Sequence, residues 1–339
     1  MYLIKRSNPK ILYKLASILK KCLAFYITLL KKLQKRNVFY TFFLSYLIIL
    51  CISLAAGSFM YTNMVKVVEN DVKEANLSLL EQCKDIIDQR MAEIDRIIVQ
   101  LSMNDKINSL LRVPGDFKGD EYYKLWELNK QLSTYSNSND FVKYMFLYFE
   151  NSNVIISPYW GSDRLKSFYE FACKLNKMDY EQWYGFIMED IKKKVLPSSM
   201  LRLTSEEKPM ITYISRLVYD SPVHSIGKII VFIEDIQITR LMDRIDLKGG
   251  GWLSVFDASG MSLINVGNIP GEESYNYLPG SCFQTDRGFF EYEIQGEDMF
   301  ITYTKSAYNQ WVYTAAVPKD AIMGKVVNIK RITIFAAFL

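Results

Sequence analysis

The chain contains one stretch of 23 residues, Val38–Met60, that carries no charged side chain. A helix rises about 1.5 Å per residue, so a stretch of this length crosses the roughly 30 Å hydrocarbon core of a membrane. The alternative is a cleaved signal peptide, for which Ala55-Ala56-Gly57 offers small residues, but the apolar core of a signal peptide is shorter. The sequence predicts a transmembrane helix at residues 38–60.

The residues before this helix are strongly basic. Residues 1–37 include ten Lys or Arg and no Asp or Glu, and four of the ten (Lys31, Lys32, Lys35 and Arg36) come directly before the apolar stretch. Basic flanks of a membrane helix stay on the cytoplasmic side. We therefore expect a cytoplasmic tail at residues 1–37 and an extracellular main domain. The tail itself is typical either of a basic amphipathic helix on the inner leaflet or of a misassigned start codon.

A long helix is predicted directly after the membrane segment, over residues 61–112. Apolar residues recur there at steps of three or four positions, and neither Gly nor Pro occurs before Pro114. One interpretation is that the early part of this helix pairs with a second copy in a homodimer, and the other is that the helix packs along its own domain. The predicted dimerisation residues are Val65, Val68, Val72, Ala75 and Leu79.

Two groups of predicted strands follow, each ordered as a hairpin, a connection and three further strands. The first group falls in residues 113–247, and its connection contains two predicted helices, Asp163–Asn176 and Asp179–Lys194. The second group falls in residues 248–318 and begins after Gly249-Gly250-Gly251. Residues 319–339 become helical and apolar again, and we expect them to start a second transmembrane helix that continues beyond Leu339.

No catalytic or metal-binding pattern occurs in the sequence. The one histidine, His224, is too few for a histidine zinc site and for most histidine-dependent acid–base mechanisms. The five cysteines are odd in number and widely scattered, unlike a disulfide framework. Neither a nucleophile elbow nor a phosphate-binding loop is present. We expect no enzyme activity, no cofactor, no metal and no nucleic acid bound by this chain.

Four segments define the order of the predicted regions: FFLSYLIIL in the membrane, the long helix containing VVENDVKEANL, the hairpin WLSVFDASGMSL, and the closing VYTAAVPKDAI. This arrangement resembles the double Cache sensor regions of bacterial receptors, and more narrowly those of membrane-anchored AraC-type transcription regulators and sensor histidine kinases. The resemblance implies an α+β fold, in which a membrane-anchored long N-terminal helix is followed by two tandem PAS-like antiparallel-sheet modules. Residues 113–247 would be the membrane-distal module and residues 248–318 the membrane-proximal module.

The resemblance also implies a small-molecule pocket in the membrane-distal module, over about residues 144–235. Within it, Arg216 is a candidate to hold a ligand carboxylate, Asp235 a candidate to meet an amino group, and aromatic rings could stack on a sugar or an amine. The predicted ligand-binding residues are Tyr159, Trp160, Trp183, Tyr184, Tyr213, Arg216 and Asp235. The ligand class stays open between an amino acid, a carbohydrate and a related metabolite.

The sequence therefore predicts the extracytoplasmic small-molecule-sensing region of a transmembrane signalling receptor. The main expectation for its output is an AraC-type transcription regulator whose DNA-binding part lies outside this chain. The alternative output is a sensor histidine kinase or a chemoreceptor. A membrane-anchored scaffold whose modules bind no ligand is the alternative from a different class of protein.

Overall fold

The computed structural model describes residues 38–158, 161–175, 178–189, 192–203, 206–217, 227–243, 245, 247, 250–267 and 280–322. The chain divides into two compact units, Met1–Val68 with Gly324–Leu339 and Glu69–Met323. The predicted cytoplasmic tail lies outside the described residues, as does all but the first four residues of the predicted second membrane helix.

The first helix, α1, runs without interruption from Val38 to Ser102. Its apolar part lies in the first unit, and its most apolar 18-residue window has a mean hydropathy of 2.2. By length and composition, α1 is the one helix in the described ranges that could cross a membrane. Large apolar side chains such as Phe39, Phe42 and Ile49 are exposed along this part of the helix, as expected for a segment surrounded by lipid tails.

The later part of α1 belongs to the second unit and packs into its core. The buried side chains recur at steps of three and four, which confirms the predicted amphipathic helix. They are Leu80, Cys83, Ile87, Met91, Ile94, Ile98 and Leu101. From Leu80 onward the apolar stripe therefore packs within the chain rather than against a second copy.

The predicted dimerisation residues lie before this intramolecular stripe. Val65, Val68 and Val72 are half-buried and Ala75 is exposed. Leu79 packs against the chain's own core. A dimer contact through the first four positions stays a prediction, whereas Leu79 has an intramolecular contact already.

The predicted helix over residues 61–112 is in fact two helices. Helix α1 ends at Ser102, and a second helix, α2, begins at Asp105 and ends at Leu111. Between them, the Asn104 side chain accepts hydrogen bonds from the backbone N–H groups of Lys106 and Ile107. Such an N-cap satisfies donors at a helix start and competes with continuation of the preceding helix.

A third helix, α3 (Asp120–Ser138), leads to a seven-stranded antiparallel sheet. The order of the strands across this sheet is β3-β2-β1-β7-β6-β5-β4. The strands are β1 (Tyr144–Phe149), β2 (Val154–Ser157), β3 (Gly161–Arg164), β4 (Cys173–Leu175), β5 (Lys193–Leu203), β6 (Glu206–Arg216) and β7 (Gly227–Glu234). Before β4 come a helical turn, Leu165–Ser167, and a π-helical turn, Phe168–Ala172, and before β5 comes helix α4, Tyr180–Met188.

Helix α5 (Asp235–Met242) connects the first sheet to a second sheet of five strands, ordered β10-β11-β12-β8-β9. Its strands are β8 (Trp252–Phe256), β9 (Ser262–Gly267), β10 (Arg287–Ile294), β11 (Glu297–Lys305) and β12 (Val312–Pro318). Apart from the short edge strands β3 and β4, both sheets have the same order of five strands. The predicted architectural repeat and the α+β fold with two tandem antiparallel-sheet modules are confirmed, while the module boundary near residue 247 stays a prediction.

The two helices predicted in the first connection are shorter than expected. Asp163 pairs with Ile155 in the sheet, and Cys173 pairs with Leu203, so the helical backbone between them is limited to Leu165–Ala172. The second helix begins as predicted, with a capping box at Asp179, but it ends at Met188. Lys193 and the residues after it join β5 instead, because strand pairing overrides a local helical pattern.

Candidate functional site

The first sheet has two differently covered faces, because successive side chains of a strand point to opposite sides. On β1, Leu147 packs in the same core as α1. Its neighbours Phe146 and Tyr148 pack on the opposite face, in one cluster with Trp183 of α4. We call this second side the outer face.

Three rows of side chains cross the outer face from strand to strand, as the strand register defines them. The first row is Tyr144–Phe232–Thr212–Leu196, the second is Phe146–Ile230–Ile214–Lys194, and the third is Tyr148–Lys228–Arg216. The first row is apolar except at Thr212 and the terminal hydroxyl of its tyrosine. The third row places two cationic residues next to each other on neighbouring strands.

Aromatic rings from the helical elements cover these rows. The Trp183 ring centroid lies 4.9 Å from that of Tyr169 and 6.2 Å from that of Phe168. The Phe168 ring in turn lies 4.8 Å from Phe146 of the sheet. The space between the outer face and α4 is therefore an aromatic-lined layer, and we refer to it below as the outer-face layer.

Two polar atoms in the outer-face layer have no hydrogen-bond partner in the described part of the chain. They are Trp183 Nε1 and Thr212 Oγ1, and both side chains are 0% exposed. A buried donor or acceptor that is left unsatisfied costs about 1–3 kcal/mol. A ligand that hydrogen-bonds to either group would remove that cost.

A buried lysine lies in the third row, next to the end of α4. Lys228 is 3% exposed, donates a hydrogen bond to the backbone oxygen of Glu189 at 2.9 Å, and lies 3.8 Å from a carboxylate oxygen of Glu150. Because Glu189 follows the last turn of α4, this lysine also faces the negative end of the helix dipole. Arg216 stands opposite Lys228 in the register of β6 and β7.

The five predicted ligand-binding residues within the described ranges do not form one cluster. Tyr159 and Trp160 lie outside the described residues. Trp183 is buried in the outer-face layer, Tyr184 is half-buried beside Tyr180 with 5.7 Å between ring centroids, and Arg216 lies on the outer face. Tyr213 and Asp235 lie elsewhere.

Tyr213 points to α1 rather than into the outer-face layer. It is three residues before Arg216 on the same strand, so the two side chains lie on opposite faces of the sheet. Its hydroxyl donates to Asp95 Oδ1 of α1 at 2.6 Å. Asp95 also accepts hydrogen bonds from Lys193 of β5, at 2.5 Å, and from the hydroxyl of Tyr308, in the turn between β11 and β12. Tyr213 and Arg216 therefore lie on opposite faces of the sheet, and a ligand-binding role for either residue stays a prediction.

These hydrogen bonds stabilise the ionised form of the Asp95 carboxyl. Burial alone would raise the pKa of its carboxyl, but the hydrogen bonds from Lys193, Tyr213 and Tyr308 outweigh burial, and the pKa lies below its ordinary value of 3.8. One ionised carboxylate on α1 is thus bonded to side chains of both sheets.

Asp235 is the first residue of α5. Its carboxylate accepts a hydrogen bond from Ser198 Oγ at 3.0 Å. Together with Ser198 it lines a groove beside the hairpin of β8 and β9. A ligand-binding role for Asp235 stays a prediction.

Three residues whose contacts are described above were not predicted from the sequence as functional residues: Asp95, Thr212 and Lys228. Thr212 and Lys228 carry a signal that could have revealed them, because each is a polar residue next to a run of apolar residues, in MITYI and KIIVFI. Asp95 lies in a helix with many charged residues, and its special position depends on contacts with distant strands.

The described ranges contain no group of three or more His, Cys, Asp or Glu that could hold a metal ion, and His224 lies outside them.

The fold is similar to that of solved sensor domains. The structure matches the extracellular domain of the putative histidine kinase soHK1S-Z6 with a TM-score of 0.51 and 11% identity, over 78% of this chain and 99% of that chain. It also matches the periplasmic sensory domain of the Campylobacter jejuni chemoreceptor Tlp1 with a TM-score of 0.50 and 12% identity, over 76% of this chain and 98% of that chain. No protein-family model and no curated protein matches the chain.

At identities this low, the likeness establishes the fold. The chain has the Cache-like fold of receptor sensor domains, in which a long N-terminal helix is followed by two tandem antiparallel-sheet modules. The fold implied by the resemblance to double Cache sensors is thereby confirmed.

Proposed function

We propose that this chain is the extracytoplasmic small-molecule-sensing region of a transmembrane signalling receptor. The fold supports this proposal, because two solved domains that share it are described as the extracellular domain of a putative histidine kinase and the periplasmic sensory domain of a chemoreceptor. The apolar part of α1 supports the membrane anchor. The basic residues before α1 support a cytoplasmic N-terminus, which puts the two sheets outside the cell.

The observation that carries the proposal is the pair of unpartnered polar atoms in the outer-face layer. Trp183 Nε1 and Thr212 Oγ1 are buried between a sheet and a short helix, among aromatic rings, without a partner in the described residues. The cationic row of Lys228 and Arg216 borders the same face and would attract an anionic group of the ligand. We therefore place the ligand of the sensor in the outer-face layer.

Among the possible outputs, a histidine kinase or a chemoreceptor has the better support. Both kinds of receptor are represented among the solved structures that share this fold, whereas the AraC-type transcription regulator rests on the sequence resemblance alone. The ligand is an amino acid, a carbohydrate or a related metabolite, and the receptor acts as a homodimer through the early part of α1. An anchored enzyme has no support from a catalytic pattern in the sequence.

The test is a ligand screen on the full chain in a neutral detergent, with the melting temperature followed by tryptophan fluorescence. The panel contains the L-amino acids and common monosaccharides at millimolar concentration. A sensor is expected to show a higher melting temperature with a subset of these compounds. If no compound of the panel raises the melting temperature, the ligand-free scaffold is favoured.

The variant Thr212→Val locates the site, because valine keeps the shape of threonine and removes the unpartnered hydroxyl. We expect the free variant to melt at the same or a higher temperature than the original chain, and the ligand-induced rise to be reduced. The matched control is Thr314→Val in the second sheet, whose hydroxyl donates to the backbone oxygen of Ser254 at 3.2 Å. That change is expected to lower the melting temperature of the free protein and to leave the ligand-induced rise intact. A full ligand response in Thr212→Val would place the ligand outside this layer.

A further inference from the structure

A cluster of charged and aromatic side chains lies where α1 meets an edge strand of the second sheet, within the second unit. Strand β10 is this edge strand, and its Glu291 stands opposite Phe300 of β11 in the strand register. Side chains of directly opposite residues lie on the same face of a sheet. Lys73 of α1 lies over this face, with its ammonium group 4.5 Å from the ring centroid of Phe300 and 4.4 Å from that of Phe289.

A second lysine reaches the same cluster from the end of the sheet. Lys319 directly follows β12 and begins a helical segment, of which residues 319–322 are described. Its ammonium group donates a hydrogen bond to Glu291 Oε2 at 3.0 Å and lies 5.3 Å from the ring centroid of Phe300. The segment that begins here leads into the predicted second membrane helix.

Glu291 is the anion between two cations that come from different parts of the chain. Its Oε1 lies 4.0 Å from the ammonium group of Lys73, and its Oε2 accepts the hydrogen bond from Lys319. Without this carboxylate, the two ammonium groups would lie near one aromatic ring and repel each other. Whether α1 and the segment after β12 attract or repel each other at this point therefore depends on Glu291.

Water reaches the two halves of this cluster to different degrees. The Lys73 side chain is 10% exposed, whereas the side chains of Lys319 and Glu291 are 32% and 52% exposed. An aromatic ring attracts a cation most strongly where water is excluded, so Lys73 is held on its two rings. An ion pair that is open to water is weakened when salt screens it. The bond between Lys319 and Glu291 is therefore the half that salt can open.

We propose that Glu291 forms a salt-sensitive clasp, which joins α1 to the helical segment after β12 at low ionic strength and releases that segment at high ionic strength. Lys73 is the fixed end of the clasp, and Lys319 is the end that opens. Because Glu291 belongs to β10, a displacement of this strand acts on α1 and on the segment together while the clasp is closed. The clasp lies within the second unit and does not depend on which ligand the outer-face layer binds.

The test is a distance measurement by pulsed electron spin resonance on the full chain in a neutral detergent. The spin labels are attached to Ser78→Cys on α1 and to Asp320→Cys, two exposed positions. Cys22 and Cys51 are replaced by serine, because the other three cysteines are buried. At about 0.01 M salt, where the screening length is about 30 Å, we expect one narrow distance distribution. At about 1 M salt, where that length is about 3 Å, we expect the narrow distribution to be lost.

Three variants assign the effect to the carboxylate. Glu291→Gln keeps the shape of the side chain without its charge, and Lys319→Met keeps an apolar stem without the ammonium group. Each should lack the narrow distribution already at low salt and should not respond to added salt. The matched control is Glu293→Gln, since Glu293 is exposed two residues further along β10, and it should behave like the original chain.

The melting temperature of each variant, followed by tryptophan fluorescence, separates release of the segment from a loss of folding. A variant that melts like the original chain but lacks the narrow distribution has lost the clasp alone. The proposal is overturned if the original chain gives the same distribution at both salt concentrations, or if Glu291→Gln keeps the narrow distribution at low salt. It is also overturned if Glu293→Gln loses that distribution as completely as Glu291→Gln does.

Discussion

Asp88 and Asp95 are two carboxylates on α1 that are separated by two turns, and their pKa values are shifted in opposite directions although burial raises both. Burial raises the pKa of Asp88 more than its hydrogen bonds with Ser306 lower it, so the pKa lies above the ordinary value. Asp95 has donors from Lys193, Tyr213 and Tyr308, and its pKa lies below the ordinary value. The number and kind of donors, rather than burial alone, decide which carboxylate stabilises the fold when charged.

The change Asp95→Asn is expected to destabilise the second unit by about 2–4 kcal/mol at neutral pH, because it breaks a partly buried network with Lys193. The folded-state pKa of Asp95 is lowered, so its contribution is complete above the unfolded-state value, near 3.9, and is lost as pH falls through the folded-state value. The difference in free energy of unfolding between the two proteins should therefore shrink below about pH 4. Urea denaturation of residues 69–323 as a function of pH measures it.

The control for this prediction is Asp71→Asn, because Asp71 is exposed on the same helix. This change should alter the free energy of unfolding by no more than about 0.5 kcal/mol. If the difference in free energy of unfolding between Asp95→Asn and the original chain stays constant down to pH 3, the assigned charge state of Asp95 is contradicted.

Part of the candidate site could be predicted from the sequence at the level of single residues. The alternation of a strand is enough to separate Tyr213 from Arg216, since an odd number of positions places them on opposite faces. Which face meets α1 could not be predicted, because that depends on how a helix more than 100 residues earlier packs on the sheet. Trp183 was predicted as a ligand residue for its aromatic ring, but its unpartnered Nε1 is a property of the packed layer.

At the level of elements, α1 is held against the second sheet by polar contacts as well as by its apolar stripe. The ammonium group of Lys73 lies 4.4 Å from the ring centroid of Phe289 and 4.5 Å from that of Phe300. Further along the helix, Glu81 accepts a hydrogen bond from Arg287 at 2.8 Å. These contacts occupy the helix from Lys73 onward, so a partner molecule has less apolar surface available there than the sequence pattern suggests.

The double change Val68→Asp and Val72→Asp is expected to convert a dimer of the full chain into a monomer. The two valines are half-buried and precede the stripe that packs within the chain, so aspartates there would place like charges in a contact between two copies. Sedimentation velocity in a neutral detergent measures the mass. The matched control is Val99→Asp, at a position that is 53% exposed on the same helix, and it should leave the mass unchanged. An original chain that is monomeric, or a double variant that stays dimeric, would rule out this dimer contact.

The elements themselves were predictable to different degrees. The long amphipathic helix has a strong periodic pattern, and the strands of the second sheet fall within the predicted range of residues 248–318. Helices in the first connection were predicted too long, because the residues near Asp163 and Lys193 have helical patterns locally but pair with strands that are distant in sequence. The break at Asn104 has a sequence signal, an asparagine that caps the following turn, which the uninterrupted apolar spacing concealed.

At the level of the whole molecule, the described part of the second unit consists of two similar sheets that share one helix. The apolar stripe of α1 packs in one core with residues of both sheets, such as Leu147 and Val255, and Asp95 accepts hydrogen bonds from Tyr213 and Tyr308. A ligand that binds more tightly to one arrangement of these parts shifts the population toward it, by no more than its difference in affinity. Because Tyr213 and Tyr308 both donate to Asp95, we expect a change at one of these contacts to alter the other.

A double-mutant cycle with Tyr213→Phe and Tyr308→Phe tests whether the two sheets are energetically coupled through this carboxylate. Each change removes one donor to Asp95, and the two tyrosines belong to different sheets. Because they share one acceptor, we expect their effects on the free energy of unfolding of residues 69–323 to be non-additive by about 0.5–3 kcal/mol. Repeating the cycle in the Asp95→Asn background should reduce this coupling, since the shared charge is gone.

The comparison cycle pairs Tyr213→Phe with Tyr292→Phe, because Tyr292 is exposed on β10 of the second sheet. These two changes have no common partner and should be additive within about 0.5 kcal/mol. If the Tyr213 and Tyr308 changes are equally additive, the sheets respond independently, and a signal would have to pass between them by another route, such as α5. If they are coupled and the coupling depends on Asp95, this carboxylate links the two sheets energetically, in addition to the apolar core that both sheets share with α1.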